Sequence, residues 1–347
     1  MKLGISIGYT GSEVKIPVDF VLEAERLGYD SVWTAEAYGS DAVTPLAYLA
    51  AKTSRIKLGT GIMQLAGRTP AMCAMTMSTL DALAGGGRVL VGLGLSGPQV
   101  VEGWHGQPYD KPVARLREYV NILRQIWARE KPVVLEGKAY QVPYRGADAT
   151  GLGKPLKSIL HGRNLPIYLA TMQPQSIRLT AEVADGWLPI WFSPQRMDMF
   201  KAPLEEGFQR AGTGKSWKDF DIAAGCTVVI GNDVKACLTQ LKPTLALYVG
   251  GMGAKNKNFH NEMVSRYGYG DIAAKIQDLY LSGRKQEATA LVPDELCDEM
   301  SLCGPESRIR QRYKMWEDAG VSTMLVQSSQ PQAYKLMAEI AGVKPHV

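Results

Sequence analysis

The chain has 347 residues, 46% hydrophobic and 21% charged, the make-up of an ordinary globular protein long enough to bury a real core. Its formal charge of +5 is spread thinly without basic runs, which argues against a nucleic-acid or anionic-membrane binder. Five scattered cysteines and four histidines, with no C-x-x-C pair, support neither a disulfide framework nor a metal site and read as buried thiols.

The N-terminus, MKLGISIGYTG, enters a strand directly, with no signal-peptide block before it. No apolar run reaches the ~18 residues of a membrane span, so a cytoplasmic location is expected. A repeated unit follows: a helix-period segment, a glycine, then a short apolar strand. It recurs in "AERLGYDSVW" (24–33), "AEVADGWLPI" (181–190) and "WEDAGVSTMLV" (316–326), each glycine being read as a left-handed helix C-cap. Strands are predicted at 3–8, 31–36, 56–64, 88–96, 166–171, 187–191, 221–230 and 323–327. Strands alternating with helices imply a parallel sheet, and eight of them fit a TIM-type (β/α)8 barrel. Strand count alone leaves a doubly wound sheet open. Two stretches exceed a plain barrel. Residues 131–165 contain "PVVLEGKAYQVP", which predicts a hairpin around Glu136-Gly137 lying over the barrel, and 250–300 is polar, tyrosine-rich and then helical. Insertions of that size usually serve function or form lids. No linker interrupts the chain, so 1–347 is expected to be one domain.

In such a barrel the chemistry sits at the C-terminal strand ends. Those ends offer Tyr9, Thr10 and Glu13; Glu36 and Tyr38; Gly61, Ile62 and Gln64; Ser96, Glu102, Trp104 and His105; Thr171, Gln173, Gln175 and Ser176; Trp187 and Trp191. The set is aromatic, rich in amides and short of metal ligands, which suits a flat organic cofactor. "GLGLSG" (92–97) formally satisfies G-x-G-x-x-G, but the next amphipathic helix is expected only at Pro112, so a dinucleotide fingerprint is not supported. Ser96 and Gly97 read as polar contacts beside a ligand.

The stretches "SVWTAEAYGSDAVTPLAYLAAKTSRIKLGTGI", "RTPAMCAMTMSTLDALAGGGRVLVGLGLSGPQVVEGWHGQP", "AEVADGWLP", "ALYVGGMGAKNKNFH" and "GPESRIRQRYKMWEDAGVSTMLV" together resemble the bacterial luciferase-like oxidoreductases, and within them the branch that uses the deazaflavin coenzyme F420. The resemblance implies a luciferase-type TIM barrel, hydride transfer at C5 of the deazaflavin and a homodimer. It also implies a non-proline cis peptide at Gly61-Ile62, in a bulge that supports the cofactor's middle ring; read from the residues alone, Gly59 and Gly61 would simply give close strand packing.

The helix start after the fifth strand, with Thr171, Gln173, Gln175 and Ser176, is placed by the resemblance at a cofactor phosphate. Where relatives carry Gly-Pro-Lys, this chain has Gln173-Pro174-Gln175, which removes a cation; Lys255, Lys257 or Arg284 would have to supply charge. Proton-transfer candidates are Glu36, Glu102 and His105, with Glu13 behind them. The residue after Glu36 is Ala37, where related enzymes often place a histidine. A deazaflavin does not readily activate oxygen, so a reductase or dehydrogenase is the leading expectation. An FMN-dependent monooxygenase fed by a partner is the alternative, followed by a barrel that only binds a small ligand.

Overall fold

The computed structural model describes residues 1–253, 255 and 257–345. They fall into two compact units: one of Gly4–Leu188 with Ala202–Ile222, the other of Met1–Leu3, Pro189–Lys201 and Ala223–Lys344. The strands in chain order are β1 Lys2–Gly8, β2 Ser31–Thr34, β3 Lys57–Thr60, β4 Met63–Gln64, β5 Val89–Gly94, β6 Leu135–Glu136, β7 Gln141–Val142, β8 Ile167–Ala170, β9 Gly186–Trp187, β10 Asp221–Ile230, β11 Ser301–Gly304 and β12 Thr323–Gln327.

In the larger unit β1-β2-β3-β5-β8-β9 lie side by side, β4 pairs with β5, and the first residues of β10, Asp221 and Ile222, pair in parallel with β9. In the smaller unit β10 runs parallel to β12 on one side and, along its second half, to β11 on the other. The sheet order β10-β12-β1 and the β9–β10 pairing make this a closed, eight-stranded parallel barrel, as predicted. β11 is an addition the sequence reading did not include. It follows the helix Asp294–Glu299 directly, so "SLCG" is too short to stand out as a separate apolar run.

Close packing explains several glycines. The Trp33 ring lies over Gly59, where a Cβ would come within 2.5 Å of it, and at Gly92 a Cβ would sit 1.7 Å from the Thr60 carbonyl oxygen. Trp33 itself is 1% exposed and meets Tyr168 edge-on at 5.3 Å. Leu3, Ile5, Val32, Leu58, Val91, Leu93, Ile167 and Leu169 are all buried, each stabilising by roughly 1.5–3 kcal/mol.

Two of the three predicted helix-capping glycines hold: Gly28 (φ 89) and Gly320 (φ 81) are left-handed. Gly186 is a correction. It belongs to β9, and its missing side chain makes room for the Tyr168 ring, which a Cβ would approach to 2.3 Å. A second correction concerns the stretch after "GLGLSG": a helix, Pro98–Gly103, starts at once, with Gly97 at its N-cap and Pro98 at its first position. Gly92 and Gly94 nonetheless lie inside β5 rather than in a turn, so the dinucleotide fingerprint is still absent.

The hairpin is present as β6 and β7, antiparallel, with Leu135 opposite Val142. It docks on the helix Pro112–Ala128, whose buried Glu118 accepts the N–H groups of Lys138, Ala139 and Tyr140 at 2.7, 2.8 and 2.8 Å. The 250–300 insertion is mostly helical, with helices Phe259–Val264, Gly270–Leu281, Lys285–Ala290 and Asp294–Glu299. No helix among the described residues is long and apolar enough to cross a membrane.

Candidate active site

The predicted third strand is interrupted where the sequence places its glycines. Leu58 pairs with Val89 and Met63 with Leu93, so five residues of one chain span four of its neighbour. The extra residue is a β-bulge at Gly61-Ile62, and that peptide is cis. Neighbouring groups hold the bulge: Gly61 N–H donates to the Thr34 carbonyl at 2.6 Å, and the Ile62 carbonyl accepts from the Glu36 N–H at 3.3 Å. The Ile62 side chain occupies the space left by Gly94, where a Cβ would come within 2.9 Å of it. Gly61 is exposed, and a Cβ there would meet nothing closer than 3.5 Å. The strand therefore presents bare main chain at its end, a surface that fits a planar ring.

Beside this shelf lies a hydrogen-bonded chain of side chains. Glu36 is 8% exposed, and its carboxylate accepts from the N–H groups of Gln64 (2.8 Å) and Ala42 (3.0 Å) and, at both oxygens, from Arg68 (2.7 and 2.9 Å). Every partner is a donor. Glu36, expected as a proton-transfer candidate, thus ties Gln64, Ala42 and Arg68 together. Arg68 also reaches Asp41 at 3.6 Å. Burial works to raise the Asp41 pKa, but hydrogen bonds from Thr44 and Val43 and the Arg68 charge outweigh it, so the carboxyl is held below its usual range.

Gln64, 3% exposed, donates its side-chain amide to the Glu36 carbonyl at 3.2 Å and meets His105 Nε2 through Oε1 at 2.5 Å. A cavity of about 200 Å³ is lined by Glu36, Asp41, Gln64, Arg68 and His105, with Tyr38 and Trp104 on it as well. The last two rings are exposed and stand 6.5 Å apart.

The other predicted residues are placed as follows. Glu102 is exposed on the helix Pro98–Gly103 and, among the described residues, receives only the Tyr109 N–H, at 3.4 Å; it does not join the cluster. Glu13 pairs with Lys15 at the surface. Ser96 adopts a left-handed conformation (φ 61) and is followed by Gly97, the N-cap. At the helix Pro174–Val183 two hydroxyls are already committed, Thr171 to Thr180 at 2.7 Å and Ser176 to the Gln173 carbonyl at 2.9 Å. What the helix start still offers is the main-chain N–H of Gln175 and Ser176, which have no acceptor within the helix. Lys255 pairs with Asp278 and Arg284 with Glu287, both exposed.

Sequence reasoning missed Arg68 and a second cluster in the smaller unit. There Trp191, left-handed at φ 53, donates its indole N–H to His260 Nδ1 at 3.1 Å, and its carbonyl accepts the Tyr267 hydroxyl at 2.8 Å. Burial lowers the His260 pKa to about 4. Trp187 is fully buried, with its N–H on the Thr171 carbonyl. The five cysteines are all buried.

The luciferase-like monooxygenase family matches residues 3–323. The chain belongs to that family. It is 46% identical, over 98% of its own length and 99% of the relative's, to the Mycobacterium tuberculosis protein named "Putative coenzyme F420-dependent oxidoreductase Rv3520c". It is 28% identical to the 5,10-methylenetetrahydromethanopterin reductase of Archaeoglobus fulgidus, over 89% of this chain and 88% of that protein. Among solved structures, the coenzyme F420-dependent tetrahydromethanopterin reductase of Methanopyrus kandleri superposes with a TM-score of 0.76 at 23% identity, covering 99% of both chains. At that identity the likeness speaks for the barrel fold.

Proposed function

We propose that this protein is a coenzyme F420-dependent oxidoreductase that moves a hydride between the deazaflavin and a small organic substrate. The observation that carries this reading is the 46% identity, end to end, with a relative named for the same cofactor. When bound, the deazaflavin supplies a hydride donor or acceptor at C5. The chain's own part is to seat the ring on the Gly61-Ile62 main chain, to offer Gln175 and Ser176 N–H groups to the phosphate, and to move a proton at His105. Of the predicted proton-transfer residues, Glu36 and His105 line the cavity, and His105 keeps a nitrogen, Nδ1, without a partner among the described residues. A cytoplasmic homodimer belongs to the same reading on the family resemblance, and light scattering of the purified protein tests the dimer.

Titration of the purified protein with F420 and with FMN, followed by absorbance and fluorescence, tests the cofactor. Saturable binding of F420 in preference to FMN is expected. Preference for FMN selects the monooxygenase reading instead, and binding of neither selects a ligand-binding barrel.

A further inference from the structure

The orientation of Gln64 decides the protonation of His105. The Gln64 amide has one donor end and one acceptor end, and the donor end is on the Glu36 carbonyl, which can only accept. Oε1 is therefore what faces His105, and it too can only accept. So His105 Nε2 must carry the proton, and in the neutral ring Nδ1 is a lone-pair acceptor. Gln64 is itself held by its main-chain N–H on the Glu36 carboxylate at 2.8 Å. Gly67 leaves the room: a Cβ there would come within 3.2 Å of the His105 ring.

The cavity also restricts what is presented to that nitrogen. Its charged residues are Glu36, Asp41 and Arg68, and the guanidinium already lies against both carboxylates. One negative charge remains in excess, and no cation on the lining is left for a phosphate or carboxylate. The exposed Tyr38 and Trp104 rings supply an apolar rim.

Building on the proposed activity, we infer that Gln64 is a positioning residue that fixes His105 as the Nε2–H tautomer, so that Nδ1 takes the hydroxyl proton of an uncharged, apolar-bodied alcohol resting against the Tyr38–Trp104 ring pair. In that step the alcohol O–H bond breaks, with its proton passing to Nδ1. The carbinol C–H bond breaks as the hydride leaves with both electrons to oxidised F420, and a carbonyl forms. In reverse, protonated His105 returns the proton to a ketone.

The test uses the full-length protein labelled with 15N-histidine, without cofactor, at about pH 9, where histidines are neutral. His105→Asn identifies the His105 signals. The wild type is expected to show the Nε2–H pattern, Gln64→Glu to keep it, and Gln64→Leu to shift toward a mixture with Nδ1–H. Cyclohexanol should move the His105 resonances, and glucose 6-phosphate at equal concentration should not. An Nδ1–H wild type, a Gln64→Leu spectrum like the wild type, a response to the phosphate, or no response to cyclohexanol would each overturn the inference. Because nothing here needs the deazaflavin, a failure to bind F420 would sink the proposed activity and leave the tautomer result standing.

Discussion

Glu36 and Arg68 form a pair that is largely closed to water, with 8% and 18% of their side chains exposed. Removing one member of such a pair strands the other and costs about 3 kcal/mol. Glu36→Ala should therefore lower the stability by about that amount in urea unfolding, while Glu36→Gln, which keeps one acceptor oxygen for either the Gln64 or the Ala42 N–H, should cost less; equal losses would mean that neither the charge nor the remaining acceptor matters. His260 gives a pH dependence. Its pKa is lowered by burial from the usual 6.5 to about 4, so the folded state binds fewer protons than the unfolded chain in that interval. Stability is then full above pH 6.5 and is lost as the pH falls toward 4, by up to about 3 kcal/mol. His260→Gln, which keeps an acceptor for Trp191 and does not titrate, should flatten that part of the stability–pH curve.

At the level of elements, glycines on neighbouring strands do opposite jobs. Gly92→Ala would drive a Cβ into the Thr60 carbonyl at 1.7 Å and should prevent folding of the barrel, visible as insoluble expression. Gly61→Ala meets only ordinary contacts, the nearest at 3.5 Å, and should change stability by less than about 0.5 kcal/mol. Its methyl would project from an exposed shelf, so F420 affinity should fall at least about tenfold, a loss of ~1.4 kcal/mol; unchanged affinity would place the ring elsewhere. The β6–β7 hairpin depends on a single carboxylate. Glu118→Ala orphans the N–H groups of Lys138, Ala139 and Tyr140, and hydrogen exchange at those three amides should accelerate while exchange in β5 does not.

For the molecule as a whole, charge is a weak instrument of recognition. The +5 balance is diluted over the surface, and the cations proposed for the cofactor phosphate, Lys255 and Arg284, are paired with Asp278 and Glu287. If the phosphate rests on the neutral N–H groups of Gln175 and Ser176, raising salt from about 50 to 500 mM should weaken F420 binding less than about threefold, because little charge is there to be screened. A steep salt dependence would point to a cation brought to the site.

The barrel was legible because its information is local. Buried parallel strands are apolar runs, and helix ends carry their own punctuation, such as Thr69, which caps the helix begun by Pro70, or Gly28 and Gly320. The bulge came from the family resemblance; the residues alone showed two glycines interrupting an apolar strand, and a side chain is excluded only at Gly59, under the Trp33 ring. Nothing local told Glu36 from Glu102. One is a carboxylate satisfied by residues up to 32 positions away and the other a surface group, and the neighbours that decide this arrive only when β2, β4 and the helix after β5 come together. Likewise Trp191 and His260, 69 residues apart, become one hydrogen-bonded pair only in the folded chain. The sequence by itself determined the alternation of strands and helices and marked, with Gly59 and Gly61, an irregular third strand. The tertiary structure decided which polar atoms were left over, because a side chain's chemistry depends on the donors and acceptors folded against it.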